Sequence, residues 1–371
     1  MDRYEALARR IAAQQLDRPV AERPVDDAAV LDLGVQDTGR DGASWALANR
    51  GVPVPGPQAL VESPELALVW SLRGAPHHYR RTDLPGVLDA TSPYSDADAR
   101  KRTLDASRPL TAAGVGMLEA MGVVATTMRE VVARPTVKGE LSTALTERLP
   151  EPYLRWCHPC QATHVYEQTF RLSALAAGLE LEPGTSPPVL RRIDGWEGAA
   201  ALGDPERAPE RLRVVDAYLR LCGPTTPAAA ATFLDVPAAV VKGHWPAAAS
   251  EVEVDGSRSW TLPDLPEPAA TDGLVRLLGP FDLWLQARDR DLVVPDRTRH
   301  KGLWPTIGRP GAVLAGTDVV ATWRPKASGR RLSVTVDAWD RLPTVDREWV
   351  GEQAERLAAH RGVALTGVVW A

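Results

Sequence analysis

Residues 211 to 261 constrain the fold more tightly than any other stretch. "RLRVVDAYLRLCGP" (211–224) carries apolar residues at helical spacing and is stopped by Gly223-Pro224. "TTPAAAATFLDV" (225–236) opens with Thr226, whose hydroxyl can accept from orphan N–H groups, followed by Pro227, which suits a first helical turn. "PAAVVKGHWPAAA" (237–249) begins another helix on Pro237, and "SEVEVDGSRSWTL" reads as two strands turning at Asp255-Gly256. Three short helices and then a two-stranded hairpin is the order of a winged helix. The helix from Pro237 is its candidate recognition helix and the hairpin its wing.

That order recurs upstream. Residues 3 to 16, "RYEALARRIAAQQL", place Tyr4, Leu7, Ala8, Ile11, Ala12 and Leu16 on one helical face, and Pro19 follows. A second helix is expected near Asp26 to Leu33 and another over Ala43 to Arg50. "ALVWSLRGAPHHYR" (67–80) then reads as a strand, Leu68 to Leu72, entering a Gly-Pro turn. In the middle, helices are expected over Met117 to Val132, within Lys138 to Leu149 and over His164 to Gly178, with "PPVLRRIDGW" as the wing. No sequence repeat is exact, so this organisation rests on element order. From Leu274 to Asp340 the chain turns β-rich, and a helix over Arg347 to Arg361 and a strand over Val363 to Trp370 close it. The expected fold class is α+β: three tandem winged-helix (helix-turn-helix) motifs with a β-rich C-terminal segment. The expected domains are 1–108, 109–205 and 206–371.

At 371 residues and 44% hydrophobic content, the chain can bury a large core. No apolar run approaches the ~18 residues of a membrane span, and "MDRYEALARR" mixes charges where a secretory signal has an apolar core. A cytoplasmic location is expected, and three cysteines cannot build a disulfide framework, which agrees with a reducing compartment. The net charge of −5 argues against general attraction to a polyanion. Its distribution differs, because Arg288, Arg290, Arg297, Arg299, Lys301, Arg309, Arg324, Lys326, Arg330 and Arg331 stand against four Asp, a local +6 that leaves −11 for the rest. Such a patch is either a nucleic-acid footprint or a solvated face. The turn "KASGR" (326–330) would present basic residues at a hairpin tip able to enter a groove.

"DLGVQDTGRDG" (32–42) directly precedes the helical run from Ala43. Asp37, Thr38 or Asp41 could each cap that helix, which leaves Gln36 unexplained. Arg73 and His77, in "LRGAPH" (72–77), are either ligand-facing or bonded to backbone carbonyls. "WCHPCQATH" sets Cys157, Cys160 and His164 at spacings a zinc site can use, but one CxxC without a second pair favours packed thiols, and no metal is expected. Trp45, Trp70, Trp284 and Trp304 could wedge into a base stack, though most tryptophans are core. Walker, Rossmann, HExxH and Gly-x-Ser-x-Gly motifs are absent, and no cofactor is expected.

"LRGAPH" resembles an RGTLH-type stretch, "AYLRLCGPTTP" a YL-x-x-x-GP-x-TP stretch, and "VRLLGPFDLWLQARDRDLVVPDRTRHKGLW" an LLP-x-FD…RDR stretch of bacterial winged-helix proteins of the AlkZ/YcaQ DNA glycosylase type. The resemblance is collinear from about Leu16 to Leu342. It implies a C-shaped stack of three winged helices gripping double-stranded DNA, and a monofunctional glycosylase that excises bulky or crosslinked N7-alkylpurines. It also implies a monomer associated with the nucleoid. The family's catalytic signature, Gln-apolar-Gln or Gln-apolar-Asp, lies where this chain has "GVQD". Gln36 and Asp37 are then the candidate catalytic residues, with Gly34 in place of the first Gln. Arg73 and His77 become candidate DNA contacts beside Arg288, Arg290, Arg297, Arg299, Lys301, Lys326, Arg330 and Arg331. The departure at Gly34 leaves a second possibility, a non-catalytic regulator or lesion sensor that kept the scaffold.

Overall fold

The computed structural model describes residues 1–19, 23–61, 63–196 and 200–371. Among these the chain forms two compact units, one of Met1–Ser63, Ala217–Phe233 and Trp245–Ala371, the other of Pro64–Asp216 and Leu234–His244. The fold is mixed α+β.

The second unit is built on a sheet whose strands run Pro76–Arg80, Leu66–Trp70, Leu179–Leu181, Val189–Arg192, Thr136–Val137, with antiparallel neighbours. Its central helix, Met117–Val131, buries Met117, Ala120, Met121, Val124, Ala125 and Met128, an i, i+3, i+4 stripe packed with Leu141, Leu145 and Phe170. Burying each large side chain there contributes roughly 1.5–3 kcal/mol. Lys138–Thr146 and Glu167–Ser173 complete the layer. Helices Leu84–Thr91, Asp96–Arg102 and Leu104–Ala112 fill a stretch the sequence reading left unassigned.

In the first unit a five-stranded sheet runs Val275–Leu278, Gly311–Ala315, Asp318–Ser328, Arg331–Ala338, Ala364–Trp370. The last strand is parallel to its neighbour, so helix Thr344–His360 serves as the crossover that a parallel connection requires. Alternation along the strands covers both faces. Leu277, Val313 and Val334 meet Val350, Ala354 and Leu357 of that helix, while Leu278, Ala312 and Leu314 meet Leu7, Ile11 and Trp284. A buried ion pair fastens this unit. Arg50 donates to both oxygens of Asp282 at 2.8 and 2.9 Å, and Asp282 also accepts the Trp284 N–H at 3.0 Å, capping Leu283–Gln286.

The third expected copy has its expected elements: Val214–Cys222, Pro227–Leu234, Ala238–Gly243, then the hairpin Ser250–Val254 and Ser257–Thr261. Thr226 Oγ1 accepts the Ala229 N–H at 3.1 Å, and Asp255-Gly256 turns with both φ values positive, 44° and 77°, as a two-residue hairpin loop demands.

Three local expectations are corrected. Residues 26–33 form two turns of 3-10 helix, Val25–Asp27 and Ala29–Asp32, because the N–H bonds reach back three residues, as from Leu31 to Ala28 and from Leu33 to Val30. The helix expected from His164 begins at Glu167, since Ala162–Val165 is claimed as a strand by Leu154–Cys157. Within "PPVLRRIDGW", Val189–Arg192 is an inner strand, paired on both sides. Among the described residues no single helix is long and apolar enough to cross a membrane.

Candidate functional site

The segment from Asp32 to Gly42 leaves its 3-10 turn through Gly34, forms the short strand Val35–Gln36, and loops into helix Gly42–Ala48. Gly34 holds φ +84°, so a side chain there would be strained by about 1–2 kcal/mol. The buried Gln36 donates from Nε2 to Thr38 Oγ1 at 2.8 Å, which fixes its amide. Asp37 Oδ1 accepts the Ala43 N–H at 3.3 Å. Asp37 therefore caps the helix from outside it, next to the positive end of the helix dipole. Asp41, the residue at the N-cap position of that helix, makes no cap bond and instead receives Arg361 at 2.6 and 3.0 Å. The sequence weighed Thr38 only as a cap, and its role as partner of Gln36 was the part missed.

Arg73 sits in a helical turn between the strands Leu66–Trp70 and Pro76–Arg80, at φ +58°. His77 is 2% exposed, and its Nδ1 donates to Ala75 O at 2.9 Å and lies 3.0 Å from Ser71 Oγ. The bond to Ala75 O is of the kind the backbone-carbonyl reading expects.

The basic segment resolves into groups with different electrostatics. Arg297 and Arg299 are matched by Asp291 at 2.5 Å and Asp296 at 3.3 Å, and Lys301 is exposed. Arg288, Arg290 and Arg309 crowd one another. Burial, and then the Arg288 cation, pull the Arg290 guanidinium below its usual range, and burial with both neighbours does the same to Arg309. Arg290 lies over the Trp304 ring at 4.8 Å and Arg309 over Phe281 at 5.1 Å. Cations held this close are relieved by an anion. Beside Arg288 and Arg290 lies a pocket of about 670 Å³, also lined by Arg3, Arg258 and Arg297. At the tip of the hairpin Asp318–Ser328 and Arg331–Ala338, Ser328 pairs with Arg331 across Gly329-Arg330. Arg324, Lys326, Arg330 and Arg331 are exposed there, and among the described residues none of them enters an ion pair.

The tryptophans singled out by sequence are core: Trp45, Trp70, Trp284 and Trp304 are all buried. The cysteines are not uniformly packed. Cys222 is buried, but Cys157 is half-buried and Cys160 exposed, because both lie on a surface hairpin. The Cys160 N–H and the His164 ring draw the Cys157 thiol down to about 7.

A family model described as DNA glycosylase AlkZ-like matches residues 30–360. Among solved structures, the chain is similar to the Streptomyces sahachiroi DNA glycosylase AlkZ, with a TM-score of 0.72 at 18% identity over 100% of both chains, a likeness of fold. No curated protein matches in sequence.

Proposed function

The chain belongs to the AlkZ-like DNA glycosylase family, and from that premise we propose that it is a monofunctional glycosylase excising bulky or crosslinked N7-alkylpurines from double-stranded DNA. Three tandem winged helices, and the C-shaped stack that the resemblance implies, are its scaffold in this reading. It acts as a monomer at the nucleoid. Alkylation at N7 makes the purine cationic and a good leaving group. The protein then has to position a water and stabilise the developing oxocarbenium ion. As the bond from C1′ to the purine N9 breaks, the electron pair leaves with the base; the water oxygen bonds C1′ and its proton passes to a carboxylate.

Gln36 and Asp37 suit the two tasks. The Gln36 amide orients the water, and Asp37 takes its proton and faces the cation. The observation that carries the proposal is that both neighbouring side chains are fixed, Gln36 by Thr38 and Asp37 by the Ala43 N–H. A carboxylate has acceptor capacity for several partners, so capping and catalysis are compatible. A second reading, a non-catalytic regulator or lesion sensor, is favoured by Gly34, whose positive φ would strain a glutamine at the place of the family's first amide. Scoring abasic sites in duplexes carrying N7-methylguanine or a nitrogen-mustard crosslink separates the two. Sites above the spontaneous background support the glycosylase, and tight binding without them supports the sensor.

For the DNA contact, Arg288, Arg290, Lys301 and the hairpin-tip residues Lys326, Arg330 and Arg331 are the cations available to phosphates. Arg297 and Arg299 join them by exchanging Asp291 and Asp296 for phosphate, and Arg73 contributes from the second unit, where His77 holds its hairpin in shape. With three to five phosphates neutralised, the log–log dependence of duplex affinity on salt should have a slope of roughly −3 to −5. Replacing Lys326, Arg330 and Arg331 together with Ala should flatten that slope and weaken all sequences alike, while the melting temperature barely moves. Fluorescence anisotropy across a salt series measures this. An unchanged slope in the triple variant would remove the tip from the interface.

A further inference from the structure

The hairpin Leu154–Cys157 and Ala162–Val165 belongs to the second unit and has no part in the chemistry above. Cys157 pairs with Ala162 and Arg155 with His164, so Cys157 and His164 are diagonal neighbours on one face. The connecting loop, His158 to Gln161, brings Cys160 back over that face. It closes with Gln161 at φ +51°, bonded by its N–H and its side chain to His158 O. The Cys157 and Cys160 sulfurs and a His164 ring nitrogen consequently all lie within 4.8 Å of one another.

One further feature is that of a ligand set rather than of packing. His164 Nδ1 lies 2.7 Å from Val165 O. A carbonyl can only accept, so Nδ1 carries the proton and Nε2 keeps its lone pair. That is the arrangement of a metal-bound imidazole steadied by a backbone carbonyl. Burial offers no competing reason for the cluster, because Cys160 is exposed.

We propose that Cys157, Cys160 and His164 bind a single divalent metal ion of the zinc class, with water completing the tetrahedron. Zinc at ~2.3 Å from sulfur and ~2.0 Å from nitrogen sets ligand atoms about 3.4–3.8 Å apart, so the three groups need to close by an ångström or so. Two thiolates and an imidazole select zinc over hard cations such as magnesium or calcium. The ion locks a surface hairpin on which Trp156 is 53% exposed. The spacing Cys-x2-Cys-x3-His was visible in the sequence, but its convergence needed the hairpin register.

The test uses full-length protein, reduced and freed of metal, titrated with Co²⁺ under anaerobic conditions. One equivalent should bind, with a thiolate-to-cobalt charge-transfer band and tetrahedral visible bands, and Zn²⁺ should displace it. Cys160→Ser and His164→Ala should each weaken binding at least as much as the roughly 10–100-fold typical of lost supporting partners, and Cys222→Ser should not. Circular dichroism checks that the variants remain folded. Fully reduced protein without a charge-transfer band would overturn the proposal, as would a band that survives unchanged in the Cys160→Ser, His164→Ala double variant.

Discussion

Asp282→Ala will cost the folded protein about 3–5 kcal/mol, measured as a lower midpoint in urea unfolding at unchanged slope. The expectation follows from Arg50 and Asp282 having side-chain exposures of 1% and 0%. Removing the carboxylate leaves a guanidinium in the core whose remaining partners are Ala46 O at 2.8 Å and Gln14 Oε1 at 3.1 Å. Both are dipoles and neither neutralises a charge. The Leu283–Gln286 helix loses its cap in the same stroke, which accounts for about 1 kcal/mol of the total. Asp282→Asn should fall between, since the amide can still cap while the charge stays unmatched. A loss below about 1 kcal/mol for the alanine variant would mean that water reaches Arg50.

Asp282 also illustrates what a sequence conveys. "LGPFD" marks a resemblance without disclosing that its Asp neutralises a residue 232 positions away. Features set by nearby residues were legible. The Thr226 cap, the Asp255-Gly256 turn, the KASGR tip and the closing helix, expected over Arg347 to Arg361 and found at Thr344–His360, all depend on local geometry. Features set by distant partners were not. His164 has a neighbourhood fit for a helix, yet it lies in a strand because Arg155 pairs with it. Val189–Arg192 reads as an exposed wing but gains a second neighbour in Thr136–Val137. At the site, the sequence offered Asp37 as a cap among equals. Arg361, 320 residues from Asp41, takes the rival carboxylate and leaves the cap to Asp37.

Asp37→Asn should reduce excision by about 10²-fold or more while DNA binding and stability persist. Asn caps as well as Asp, so the Ala43 N–H keeps its acceptor, and the change isolates the proton-accepting charge. Asp37→Ala removes both functions. It should lose excision to the same degree and, in addition, about 1 kcal/mol of stability. Single-turnover base release beside thermal unfolding distinguishes these outcomes. Full activity in the Asn variant would confine Asp37 to capping and assign the water to Gln36 alone.

The central claim is that this chain hydrolyses an N-glycosidic bond, and it is met most directly by single-turnover release of base from a duplex with one N7-methylguanine, with the bound fraction measured in the same sample. The wild-type protein, fully bound, is expected to release base well above the spontaneous rate, and to leave an abasic site at each nucleotide joined in a nitrogen-mustard crosslink. Fully bound protein that releases base no faster than free DNA does, on both substrates, would contradict the claim and leave a protein that recognises DNA without cutting it.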